Sequence, residues 1–294
     1  MTGPGKTKTA DGLERLRDWA RLAWFEPAAV WALLQLSLRQ SLRARRVLVV
    51  LLLLALPCVI AVLVRYDDVQ NRDATLAQSV ARRAEQALIF LVIPHALAPL
   101  VALIFSAGLL RDEIEDQTLT YLVVRPLPKW SIYASKLAAA MVTTCVVTSA
   151  FVLLVFVILH AGRGDFWRDV FFARAVKAAC LVSLSLCAYC SIFGLIGLMV
   201  KRALALGVAY IILFEGALAN IDFVVRRATV MYYFRVLCRR WLGLEIFDWN
   251  INLSQSPSAV VCVAVLLGGC LVATILAGII FSVREFRLKT PEGV

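Results

Sequence analysis

The sequence predicts an all-α, polytopic membrane protein: six transmembrane helices preceded by an amphipathic helix at the membrane interface. Composition is the first reason. Of 294 residues, 61% are hydrophobic and mean hydropathy is +0.82, whereas soluble domains are roughly 45–50% apolar. Patterning is the second. Six apolar runs, each about 18 to 25 residues long, can each cross a hydrocarbon core about 30 Å thick. Charge is the third. A net charge of +11 in so apolar a chain is expected from residues that flank membrane helices and meet anionic lipid. No polar segment is large enough to form a nucleic-acid-binding domain.

Residues 1–26 form a polar leader. It holds Gly3-Pro4-Gly5-Lys6-Thr7, but a phosphate-binding loop also needs an upstream glycine, a preceding strand and a following helix. Residues 27–46 read as an amphipathic helix. Trp31, Leu34, Leu38 and Leu42 recur at three- and four-residue steps, among Gln35, Arg39, Gln40, Arg43, Arg45 and Arg46. Arginines toward its end suit a helix lying in the headgroup plane.

The transmembrane domain, 47–289, has its spans at about 47–64, 87–110, 137–161, 178–200, 203–221 and 259–283. The first run begins only after the basic leader, so it reads as a retained span rather than a cleaved signal. Pro57, Pro94 and Pro99 fall within spans and predict kinks. Only Lys201-Arg202 separates the fourth and fifth runs, which predicts a tight helical hairpin. In the outer segment 222–258, Val230, Phe234, Leu237 and Trp241 recur at helical spacing, with Arg226, Arg227, Arg235, Arg239 and Arg240 on the other face. That predicts a short helix on or dipping into the outer leaflet, or an ordinary surface helix anchored by aromatics.

Orientation follows from charge asymmetry. Arg43, Arg45 and Arg46 precede the first span, while Asp67 and Asp68 follow it with Arg65. The positive-inside rule then puts both termini in the cytoplasm, in a multi-pass protein of the cytoplasmic (plasma) membrane.

Two ionisable residues fall inside spans: His95 in the second and Glu215 in the outer half of the fifth. Such residues are costly in a bilayer and are candidates for a pathway or a gate. The structural alternatives are a histidine satisfied by a carbonyl freed near Pro94, and a Glu215 paired with a basic residue of the outer segment. Of the eight cysteines all but Cys238 lie in apolar runs, where they read as small packing residues. No HExxH or GxSxG motif occurs, which argues against a membrane-embedded hydrolase. No catalytic, metal-binding or directly bound cofactor site is expected.

The segment 111–136 is longer than a turn between adjacent helices requires. Asp112, Glu113, Glu115 and Asp116 cluster at its start, where a helix dipole favours negative charge. Ile114, Thr118, Tyr121 and Leu122 share one face of a helix predicted over 112–124. Arg125-Pro126-Leu127-Pro128 stops that helix, and Pro128 can open the next one, which leads through Lys136 into the third span.

This order resembles the cytoplasmic loop of ABC transporter permeases of the type-two exporter class. The matching positions are Glu113, Asp116, Gln117-Thr118-Leu119, Arg125-Pro126, Lys129 and Lys136. Gln117 and Ser135 stand where that family more often has glycine. The specific match covers about 87–161, and Phe214-Glu215-Gly216 is similar to a second motif in the fifth span. The resemblance implies a permease subunit of an ABC transporter, an exporter that forms the substrate pathway. A separate ATPase subunit would bind and hydrolyse ATP, docking on Glu113, Ile114, Asp116, Thr118, Leu119, Tyr121, Leu122, Arg125, Pro126, Lys129 and Lys136. It also implies a second permease, either the same chain or a relative. The alternative is an ATP-independent secondary transporter or a membrane scaffold. A secondary transporter would more often show internal repeats and several midplane polar groups.

Overall fold

A computed structural model describes residues 27–43, 45–70, 74–109, 129–160, 169–200, 202–217, 224–244, 249 and 256–283. Helix α1 (Pro27–Arg43) leads to α2 (Arg45–Gln70) and α3 (Ala74–Glu85). A wide-wound segment, Gln86–Leu97, continues into α4 (Ala98–Ser106). Then come α5 (Lys129–His160), α6 (Asp169–Met199) and α7 (Ala203–Tyr210), which runs on through a second wide-wound segment, Ile211–Ala217. A short turn of 3₁₀ helix (Val224–Ala228), α8 (Val230–Leu242) and α9 (Ala259–Val283) complete the described residues.

Helix is the only local solution for such runs, because lipid offers no partner to a free backbone group. The hydroxyls embedded in them bond backward along their own helix. Thr143 donates to Ala139 O at 2.8 Å, Thr144 to Ala140 O at 2.9 Å and Ser191 to Cys187 O at 2.7 Å. Pro94 has no N–H to give, and around it the helix widens: Ala98 N–H reaches Ile93 O, five residues back.

Among the described residues, five helical stretches are long and apolar enough to cross a membrane: Arg46–Asp67, Ser79–Ser106, Trp130–His160, Phe172–Met199 and Ala259–Val283. The predicted fifth span is present as a shorter apolar helix, Ala203–Ala217, and 218–223 lie outside the described residues. The chain is therefore an all-α, multi-pass membrane protein with five or six helices able to span. Several helices outrun their apolar runs. The first two turns of α5 occupy 129–136, which the sequence assigns to the loop, and α6 begins at Asp169 rather than near 178. Hydropathy marks only the part of a helix that suits lipid; polar end turns stay helical where water or headgroups solvate them.

Helix α6 lies at the centre, packed by α4, α5, α7, α8 and α9, with Tyr189, Cys190 and Phe193 fully enclosed. By contrast α2 and α9 present broad apolar faces outward, including Leu52, Leu63, Val260, Leu271 and Ile275. Helix α1 packs on α5. Its enclosed side is Leu33 and Ser37, while Trp31 points away from the bundle and Leu34 and Leu38 are half-buried.

Candidate functional site

The fifth apolar helix and α8 meet at Glu215. Its carboxylate is fully buried and sits over the N-terminus of α8. Val230 N–H donates to Oε1 at 3.3 Å and Met231 N–H to Oε2 at 3.2 Å. Thr229 precedes them in extended backbone, and its Oγ1 accepts from Tyr232 N–H at 3.3 Å. The first three N–H groups of α8, otherwise without partners inside the helix, are thus all satisfied by two side chains. The positive end of the helix dipole faces the carboxylate. At its other end α8 stops on Gly243, whose φ of 62° is left-handed and suits glycine.

Two more polar side chains lie near this carboxylate. The buried Tyr189 hydroxyl lies beside it. Arg235, one turn into α8 and only 5% exposed, is close enough to interact electrostatically with both Glu215 and Tyr189. Its guanidinium lies 5.9 Å from the Trp249 ring centre. Beyond them His95 feels the charge of Arg235 and has a buried Nδ1 with no hydrogen-bond partner among the described residues. The two wide-wound segments, one carrying His95 and the other Glu215, touch each other and α8. Such winding is uncommon and is frequent at functional sites. The sequence reading sets Arg235 on the polar face of a surface helix; in the structure that residue turns inward. A hint was available: Arg235 follows Phe234 directly, so a broad apolar face through Val230, Phe234 and Leu237 sweeps close to it.

A second buried ionic group joins three helices, α3, α5 and α6. Glu85, at the end of α3, is 1% exposed. Arg174 Nε of α6 stands 3.2 Å from its Oε1, an ion pair without the alignment of a hydrogen bond. His160 Nε2, at the end of α5, stands 3.5 Å from its Oε2, while His160 Nδ1 faces Phe156 O at 3.1 Å. No motif marks this cluster, because its members are 75 and 14 residues apart in the chain.

The loop candidates Glu113, Ile114, Asp116, Thr118, Leu119, Tyr121, Leu122, Arg125 and Pro126 lie outside the described residues. Lys129 begins α5, and Lys136, two turns on, is buried at 6% exposure and has a partner. The cysteines are all free. Cys145 and Cys187 bring their sulfurs to 3.8 Å between α5 and α6, and among the described residues no group of three or more His, Cys, Asp or Glu is placed to hold a metal ion.

A bundle of membrane-length helices around a few buried polar joints, with long apolar faces left outward, defines an all-α, multi-pass membrane domain. The sequence matches the family described as "ABC-2 family transporter protein" over residues 31–286. That is most of the chain, and the chain belongs to this family of ABC-transporter membrane permeases. Membrane permeases of this family are typically non-catalytic. No curated protein matches the chain.

Proposed function

We propose that this permease is the pathway-forming half of an exporter powered by a separate ATPase subunit that docks on the cytoplasmic loop 111–136. The family match over 31–286 is the observation that carries this reading. The loop composition supports it: an acidic cluster, followed by Ile114, Thr118, Tyr121 and Leu122 at the spacing of one helix face, suits a groove with a basic rim. The turn that leads into the loop from α4 lies beside Arg46, at the basic entrance to the first span, which fits a cytoplasmic loop and cytoplasmic termini. The outward apolar faces of α2 and α9 are suited to lipid or to a second permease. ATP binding would close the ATPases, move the loop and rock the helices between two arrangements. Glu215, with Arg235, would fix the outer segment to the pathway wall and act as its gate, with His95 facing the pathway.

The test is to purify the tagged chain from membranes of its own host and identify what accompanies it. An ABC ATPase whose hydrolysis responds to the permease supports the reading. A chain that comes out alone, and transports in membranes without ATP, favours the secondary-transporter alternative.

A further inference from the structure

The two ends of the cytoplasmic loop converge on one turn of one helix. The last described residues before the loop are the turn that follows α4, Ala107 to Leu109; the first after it begin α5. Helix α6 carries Gly194 and Gly197, three residues apart. A Cβ on Gly197 would lie 2.7 Å from Ala107 O and 3.1 Å from Ala107 Cα, so only a glycine lets α6 approach the loop's entry end backbone to backbone. A Cβ on Gly194 would lie 2.7 Å from the Tyr133 hydroxyl oxygen, one turn into α5 at the loop's exit end. Tyr133 is itself fully buried and packs on Phe281 of α9, ring centres 6.3 Å apart.

We propose that the Gly194–Gly197 turn of α6 is the joint through which movement of the cytoplasmic loop enters the helix bundle. The two glycines are positioning residues. They hold α4's end and α5's start against the same rigid turn, so a displacement of the loop reaches central α6 from both sides at once. Close-packed interfaces transmit such shifts because they have few alternative packings. The loop's entry end is held on its other side by Arg46 of α2, whose guanidinium fills the space a Cβ on Gly108 would need. This inference rests on the coupling reading above.

The geometry sets an asymmetric test. The Gly194→Ala overlap is with the hydroxyl alone among Tyr133 atoms: the ring carbon bearing it is 3.8 Å away, an ordinary contact, and Leu137 Cδ1 at 3.1 Å is a flexible tip. Tyr133→Phe therefore removes the obstruction. The Gly197→Ala overlap is with backbone and has no such remedy. The assay uses the complex with its copurifying ATPase in lipid nanodiscs. Spin labels are placed by non-cysteine chemistry at the exposed positions 66 and 260, and distances are measured with and without ATP plus vanadate. Tyr133→Phe should move as wild type. Gly194→Ala should assemble and hydrolyse ATP, yet its ATP-shifted population should fall about five-fold, the low end of ordinary coupling energies. Adding Tyr133→Phe should restore the shift to Gly194→Ala but not to Gly197→Ala. If Gly197→Ala fails to assemble, the Gly194→Ala pair decides alone. A normal shift in Gly194→Ala, or no recovery in the double variant, overturns the joint while leaving the coupling reading intact. Absence of any ATPase or ATP-driven shift in the wild type overturns the coupling reading, and the joint with it.

Discussion

Replacing Glu215 by an apolar residue of similar size removes both acceptors at the start of α8. Val230 and Met231 N–H are buried, and each orphaned donor costs about 1–3 kcal/mol, so Glu215→Leu loses roughly 2–6 kcal/mol from these alone. Arg235, held in the interior at 5% exposure, also loses the electrostatic attraction of this group, a contribution below the roughly 3–5 kcal/mol of a broken buried ion pair. These figures overlap, because the same carboxylate serves both, so the loss is expected nearer the larger than their sum. Glu215→Gln keeps one oxygen acceptor and loses the charge, which predicts a smaller loss of about 1–3 kcal/mol. The assay is thermal unfolding of the purified protein together with hydrogen exchange at the amides of 230 and 231. Expected are a large drop and fast exchange for Leu, and a modest drop with one faster amide for Gln. If Glu215→Leu unfolds at the wild-type temperature with both amides protected, the carboxylate is not the cap of α8, and its case as a gate loses its structural basis.

Three other outcomes follow from the same structure. Glu85→Gln should loosen the ends of α3 and α5 and the start of α6 together, seen as faster exchange around His160 and Arg174; because the Arg174 side chain is 31% exposed, the loss should fall below the roughly 3–5 kcal/mol of a fully buried pair, and an unchanged exchange pattern would show the cluster to be inert. In topology labelling, residues added near Trp130 should react only from the cytoplasmic side and those near Tyr66 only from outside; outside labelling near Trp130 would refute the assigned orientation. His95→Gln should leave stability nearly unchanged, since the imidazole Nδ1 has no partner among the described residues; a strong destabilisation would mean that the imidazole holds the wide-wound segment rather than facing the pathway.

The helical, multi-pass architecture was legible because lipid imposes a simple requirement, a long apolar run, and the runs stand out. The last span, 259–283, coincides with α9 (Ala259–Val283). Span ends were less legible where amphipathic turns continue the helix, as at Lys129 and Asp169. The site was legible only in part. Glu215 and His95 announce themselves as charges in apolar runs, but their neighbours do not. Arg235 lies among five arginines of one segment, and only the packing of α8 against α6 turns it inward. Glu85 and Arg174 lie at helix ends where charge is ordinary, and nothing local distinguishes a buried carboxylate there from a solvated one. Gly194 and Gly197 look like routine glycines of a membrane helix until Tyr133 and Ala107 are brought against them.

Docking of an ATPase on the cytoplasmic loop is the central claim, and one triple variant tests it most directly. Glu113→Lys and Asp116→Lys reverse the acidic cluster at the start of the loop, and Tyr121→Ala removes an aromatic side chain that the sequence predicts on the docking face. The measurement is the amount of ATPase that copurifies with the variant, and the ATP hydrolysis coupled to transport by what remains, with membrane insertion checked alongside. Loss of both, in a protein that inserts normally, is the predicted result. A triple variant that assembles and couples like the wild type would contradict the docking role of this loop and remove the main support for an ATP-driven mechanism.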